Sequence, residues 1–252
     1  MKIAYAGFDL MADALQALGR DNEIVKLFTC KVDGDFETND RVIALAAFFG
    51  APYTLSRITR DDIEELLSIG CELLISAGYY YRIPVDDRLP MVNIHPSLLP
   101  YGRGAWPMPL AILDCLPESG VTVHKTEESF DTGDILLQRR FALAADEDLE
   151  SFMNKVNALL PDMMRELTAD FERLWNDARP QGDGVYQDEP DPGEYRLSRD
   201  SSVAYADRVL RAFYGYGADY EGVRIRRGCA VRGDKTGREY PLFDGYIKNM
   251  TV

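Results

Sequence analysis

The chain has 252 residues, 46% of them hydrophobic, which suits one full-sized domain with an appendage or two small domains. Its 42 acidic residues outnumber 28 basic ones, and a net charge of −14 disfavours polyanionic partners such as nucleic acid. No run of about 18 apolar residues occurs, so no membrane-spanning helix is expected.

From the N-terminus, KIAYAGF (residues 2–8) reads as a short apolar strand. LMADALQAL then repeats apolar residues at helical spacing (Leu10, Ala14, Leu15, Leu18), so the opening is a strand and a helix rather than a secretory leader. EIVKLFTC (23–30) reads as a second strand, and DRVIALAAFFG (40–50) as a helix closed by Gly50. PYTLS (52–56) reads as a short third strand. RDDIEELLSIG (60–70) is a helix whose acidic start suits the helix dipole. CELLISAGY (71–79) and MVNIH (91–95) are continuously apolar, as strands buried on both faces are. Strands alternating with helices predict βαβ units and an α/β fold, a Rossmann-like, mostly parallel sheet flanked by helices.

In such sheets ligands bind beyond the carboxyl ends of the strands. His95, one of two histidines, closes MVNIH just before Pro96 stops the pairing, and Asn93 precedes it by two positions. The first turn, AGFDLM, lacks GxGxxG, and the chain has no GxxxxGK[ST] phosphate loop and no GxSxG nucleophile elbow. Its four cysteines are scattered without a Cys-x-x-Cys pair, which points to a reducing, cytoplasmic setting and to no metal centre.

A second informative stretch is GVTVHKTEESFDTGDILLQRRFAL (120–143). Val121 and Val123 share one face of a strand, and Thr122 and His124 the other. SFDTGD reads as a turn, in which Asp131 can bond backbone groups and Gly133 tolerates positive φ. ILLQRRFAL resumes a strand, so an antiparallel hairpin joins the parallel sheet. Spacing alone does not bring Asp131 to His95.

Taken together, NIHPSLLPYGRG, then GVTVH and then FDTGDIL closely resemble the formyltransferase family that uses 10-formyltetrahydrofolate. The resemblance covers roughly residues 1–175. It implies catalytic roles for Asn93, His95 and Asp131 and a folate co-substrate, 10-formyltetrahydrofolate. It sets that folate against Gly78, Tyr79, Tyr80, Tyr81 and Ile83 of ISAGYYYRIP, and against Asp131 and Asp134 of the turn. Ser97, Tyr101, Arg103 and Gly104, in a loop read as rigid, are candidate substrate contacts, although Arg103 reads equally as a solvated loop arginine. For His124 a structural or supporting role is favoured over ligand contact.

The residue types suit the chemistry. When an amine attacks a formyl carbon, the developing oxyanion needs donors, which the Asn93 amide and a protonated His95 can supply; losing one such donor costs about 3 kcal/mol. A histidine can also move the amine proton, and Asp131 can orient it or bias its charge.

DEDLESFMNKVNALLPDMMRELTADFERLW (146–175) carries an apolar helical stripe from Leu149 to Leu174, which Pro161 should kink or split. The predicted organisation is a catalytic domain over 1–177, a Pro/Gly/Asp-rich linker over 178–200, and a small C-terminal region over 201–252. There SSVAYADRVLRAF reads as a capped helix, and GVRIRRGCAVRGDKTGREYPLF as a β-hairpin turning near Gly233–Gly237. This tail resembles the abbreviated ending of sugar formyltransferases more than the barrel of methionyl-tRNA formyltransferases. Arg224, Arg226, Arg227, Arg232, Lys235 and Arg238 read either as a solvated hairpin face or as a phosphate footprint.

The expected activity is formyl transfer to the amine of a nucleotide-linked amino sugar in polysaccharide biosynthesis. Alternatives are a methionyl-tRNA formyltransferase with a reduced tail, or an enzyme formylating an amino-acid or peptide-antibiotic amine. The expected partners are small molecules, with a homodimer allowed, no membrane, and tRNA only under the second reading.

Overall fold

The computed structural model describes residues 1–32, 38–190 and 193–250, so residues 191 and 192 of the expected linker lie outside the described residues. In chain order the elements begin with β1 (Lys2–Gly7), a 3-10 turn (Asp9–Met11), α1 (Ala12–Asp21), β2 (Glu23–Phe28), α2 (Asp40–Phe49), β3 (Tyr53–Thr54) and α3 (Arg60–Ser68). Next come β4 (Leu73–Ala77), β5 (Met91–His95), α4 (Pro107–Leu113), β6 (Glu118–Lys125) and β7 (Ile135–Ala142). The remainder is α5 (Leu149–Ala169), α6 (Phe171–Asn176), α7 (Val203–Ala212), β8 (Ala218–Tyr220), β9 (Val223–Ile225), β10 (Gly228–Arg232), β11 (Tyr240–Pro241) and β12 (Gly245–Asn249).

Seven strands form one sheet in the order β3-β2-β1-β4-β5-β6-β7. The pairs β2–β3, β1–β2, β1–β4 and β4–β5 are parallel, and β5–β6 is antiparallel. This is the expected Rossmann-like sheet. The helix ends follow local chemistry: Gly50 closes α2 in the left-handed region at φ 71°, and Thr59 and Asp62 form a reciprocal capping box on α3.

Two compact units interleave in sequence: Met1–Gly104, Gly120–Phe141 and Lys155–Tyr186 make the first, and Ala105–Ser119, Ala142–Asn154 and Gln187–Val252 the second. In the first, Ala4, Phe28, Ile63, Leu66, Leu74 and Met91 belong to one buried cluster against the sheet. In the second, α7 buries Val203, Ala206, Val209 and Leu210 in a cluster with Ile225, Leu242 and Ile247.

Three details differ from the sequence reading. Helix α5 runs unbroken through Pro161, and the break falls at Asp170 instead. Val156, Leu160, Met163, Met164 and Leu167 are all buried, so packing on both sides of the proline holds one helix where propensity alone would end it. Second, β10 and β11 do not pair with each other across Gly233–Gly237; both pair with β12 between them. The buried Ile247 of β12 lies opposite Ala230 on one side and Tyr240 on the other, which makes β12 the strand both neighbours need. Third, part of the stretch read as linker is built into the first unit, because Arg179 bridges to Ile135 and Tyr186 to Arg103.

Candidate active site

The site grows from the β5–β6 pairing. Asn93 lies opposite His124 and His95 opposite Thr122, and residues directly opposed across two strands project to the same face. The strand register therefore clusters both histidines of the chain with Asn93.

Asp131 completes the cluster from the turn after β6. Its Oδ1 lies 3.3 Å from Asn93 Nδ2, 3.4 Å from His124 Nε2 and 3.5 Å from His95 Nδ1. Its Oδ2 accepts the Gly104 N–H at 3.0 Å. To reach these partners Asp131 adopts φ 55°, in the left-handed region that residues other than glycine seldom enter. Gly133, which would tolerate positive φ, does not adopt it, and its role is close approach. A Cβ there would stand 2.0 Å from the Lys125 carbonyl oxygen.

The proton positions follow from the partners. His124 Nδ1 donates to its neighbour's carbonyl, Lys125 O, at 2.8 Å, leaving Nε2 to accept from Asn93 Nδ2 at 3.2 Å. Both amide hydrogens of Asn93 thus point at Asp131 and His124. His95 is different, because Nε2 faces the Gly102 carbonyl at 2.7 Å and Nδ1 faces Asp131. Both ring nitrogens meet acceptors, an arrangement fully satisfied only by the protonated ring. Burial nevertheless dominates and pushes the His95 pKa down, with Asp131 and the Gly102 carbonyl pulling against it. At rest His95 is a neutral base set in a slot shaped for its protonated form. Burial also opposes ionisation of Asp131, but the positive charge the two histidines carry once protonated in acid, with the Gly104 N–H, outweighs it and holds the carboxyl down at about 2.

Beside the cluster is a cavity of about 60 Å³, with Ile83, Phe130 and Tyr81 in its lining together with Asn93, His124 and Asp131. His95 does not line it. Thr126, also in the lining, has a buried Oγ1 without a hydrogen-bond partner. Glu127, Glu128 and Ser129 form a wall shared with an open cleft of about 710 Å³.

In a comparison of sequences, the model of the formyl transferase family matches residues 10–168. The chain belongs to the formyl transferase family. A methionyl-tRNA formyltransferase of Ehrlichia ruminantium is 29% identical over 167 residues, 65% of this chain and 54% of that protein, so the chain spans about half that relative's length. A methionyl-tRNA formyltransferase of Coprothermobacter proteolyticus is 29% identical over 230 residues, 86% of this chain and 75% of that one. Among solved structures, an N-formyltransferase from Helicobacter canadensis, in complex with folinic acid and dTDP-3-aminofucose, shares the fold. Its TM-score is 0.70 at 17% identity, over 98% of this chain and 97% of that one.

Within this family member the other expected contacts divide. Tyr79, Tyr81, Ile83 and Asp131 line the cavity, whereas Gly78, Tyr80 and Asp134 do not. The Tyr79 hydroxyl is tied to backbone, accepting the Ile58 N–H at 3.1 Å and donating to Ser56 O at 3.2 Å. Tyr80 is exposed and lies 4.6 Å from the Phe8 ring, and Asp134 pairs with Lys125 at 3.4 Å. Gly78 turns the chain after β4 at φ 69°.

The Pro/Gly loop after β5 carries a cis Leu99–Pro100 bond and is closed on itself, Ser97 Oγ donating to Tyr101 O at 2.8 Å. The Tyr101 side chain is exposed. The Arg103 guanidinium is bonded within the protein to Gln181 Oε1 and to the carbonyls of Gly182 and Gly184. Sequence reading missed Gln181 entirely. One of two glutamines in a Pro/Gly/Asp-rich stretch, Gln181 carries no signal until the fold brings it beside Asp131.

Proposed function

We propose that the chain transfers the formyl group of 10-formyltetrahydrofolate to an amine, and that the acceptor is a nucleotide-linked amino sugar. The observation that carries the transfer reading is the convergence of Asn93, His95 and His124 on one ionised, buried aspartate at the edge of a cavity. Ile83 and Phe130 would offer apolar contact to a ring placed there, and the unpartnered Thr126 Oγ1 is a group that a polar ligand satisfies. In this reading Tyr81, Ile83 and Phe130 hold the folate.

Bound folate supplies an electrophilic formyl carbon whose oxygen gathers negative charge as an amine adds. Neutral His95 takes the amine proton and, once protonated, satisfies both Asp131 and Gly102. As the tetrahedral intermediate collapses, the bond from the formyl carbon to the folate nitrogen breaks and His95 returns the proton to that departing nitrogen, leaving tetrahydrofolate and the formylated amine. Asn93 turns one N–H from Asp131 or His124 to the developing oxyanion, its bonds of 3.2 and 3.3 Å being long enough to exchange. Asp131 remains ionised throughout and biases His95 toward accepting a proton.

The sugar acceptor is supported by the Helicobacter canadensis enzyme, which matches this chain almost end to end, and by a net charge of −14, which opposes a polyanion. The basic residues near the C-terminus support it too. Arg232 pairs with Asp244, Lys235 bonds Phe243 O, and Arg238 lies over the Tyr246 ring, so these charges are engaged locally. A methionyl-tRNA acceptor is the second reading, favoured by the sequence relatives.

The test has two parts. Titration with a stable folate analogue is expected to give saturable binding and a raised melting temperature; no binding at millimolar analogue would sink the transfer reading. Mass spectrometry of reactions with amino sugar nucleotides is expected to find one formylated product. Formylation of methionyl-tRNA with every sugar nucleotide inert would replace the first acceptor with the second.

A further inference from the structure

Asp131 must keep a backbone conformation unusual for its residue type, since only there does its carboxylate meet Asn93, His95, His124 and the Gly104 N–H. Something outside the turn has to hold it. Gln181 stands in the right place. Its Nε2 donates to Asp131 O at 3.0 Å and to Gly133 O at 2.7 Å, gripping both sides of Thr132. Its Oε1 accepts Arg103 Nε at 3.1 Å and Nη2 at 2.8 Å. Both donors and both lone pairs of the amide are thereby used.

The contacts close a circuit. Arg103 immediately precedes Gly104, whose N–H binds the Asp131 carboxylate, and Arg103 is held by the same glutamine that holds the Asp131 carbonyl. A cationic partner on Oε1 polarises the amide and strengthens its two donated bonds. Carboxylate and backbone of one residue are thus fixed from two directions through one side chain.

We propose that Gln181 is the positioning residue of this site: it locks the 131–133 turn so that Asp131 faces both histidines, and Arg103 acts through it rather than by meeting substrate. The assignment rests on the formyl-transfer reading for its effect on rate, but its geometric content can be tested without any substrate.

The chain has two histidines, so their imidazole resonances can be followed by NMR through a pH titration of the whole protein. Gln181→Leu removes both donors without adding charge. Released, the Asp131 carboxylate turns from His95, and an imidazole that loses a nearby counter-charge titrates at lower pH. Gln181→Leu is therefore expected to displace the His95 titration downward, in the same direction as Asp131→Asn, and the double variant should add little to either single change. Titrations superimposed on the parent's, in a folded Gln181→Leu protein, would overturn the proposal. If that variant does not fold, Gln181→Glu keeps a partner for Arg103 while losing both donors. It should lower kcat by up to about a hundredfold with the KM for folate nearly unchanged, and a parental kcat would overturn the proposal equally. A parent that titrates as expected yet forms no product would strike the assigned reaction and leave Gln181 in place.

Discussion

The parallel part of the sheet and its antiparallel end bury their polar atoms in opposite ways. Along β1 and β4, Ile3, Tyr5, Leu73, Leu74 and Ile75 are wholly enclosed, and Ser76 is the one polar residue of β4. At the β5–β6 seam, Asn93 opposes His124 and His95 opposes Thr122, and both histidines and Thr122 are buried. Transfer of apolar surface holds the first region together. Reciprocal hydrogen bonds around one ionised carboxylate hold the second. The polar cluster therefore sits where strand direction changes, because direct cross-strand pairing packs four polar side chains onto one face there.

Substitutions should separate the two regions, and the largest effects belong to the seam. His95→Ala and Asn93→Ala should each lower kcat by about a hundredfold or more while leaving folate-analogue affinity nearly intact, measured by steady-state kinetics and calorimetry. His124→Ala, which removes a neighbour of Asp131 but not the proton acceptor, should cost about tenfold. Mild and equal losses in the two histidine variants would mean the roles are misassigned.

Two glycines sharpen the contrast. A Cβ at Gly7, in the parallel part, would stand 2.5 Å from Ala77 O, and one at Gly133 would stand 2.0 Å from Lys125 O. Both alanine variants should lose about 1–3 kcal/mol of stability by thermal or urea unfolding. Gly133→Ala alone should also lose activity per folded molecule, because the Asp131 turn shifts with it.

Acid should find the seam first. The folded pKa of His95 is lowered from 6.5, so its contribution to stability is complete above that pH and is lost as pH falls through the lowered value. The carboxyl of Asp131 drops from 3.8 to about 2, so its contribution persists above 3.8 and fades as pH falls toward 2. Urea unfolding across pH should show His95→Gln flattening the upper stage and Asp131→Asn the lower. Smallest of all, Ile75→Val in the parallel part should cost about 1 kcal/mol, lower the melting temperature by about 2–4 °C and leave kcat unchanged.

Much of this was legible in the sequence, for a physical reason. Period-matched apolar runs declare buried strands and helices, so the sheet from β1 to β7 followed from KIAYAGF, CELLISAGY, MVNIH and GVTVH. Proximity between distant segments is not periodic. The position of Asp131 beside His95 came from family resemblance, since no spacing rule joins residue 95 to residue 131. Gly133 illustrates a subtler limit, because a glycine in a turn signals either positive φ or close approach, and the carbonyl that decides lies on another element. A split at Pro161 and the β10–β12–β11 order were misread because packing and a shared central strand overrode local preference.

The central claim is that Asp131 joins Asn93 and the histidines into one proton-handling site. Single-turnover formyl transfer across pH, in the parent and in Asp131→Asn, tests it most directly. The variant is expected to lose about a hundredfold or more, with the acid limb of the remaining activity displaced to lower pH because His95 has lost the charge that favours its protonation. A folded Asp131→Asn protein that transfers formyl at the parent's rate, with an unshifted acid limb, would contradict it.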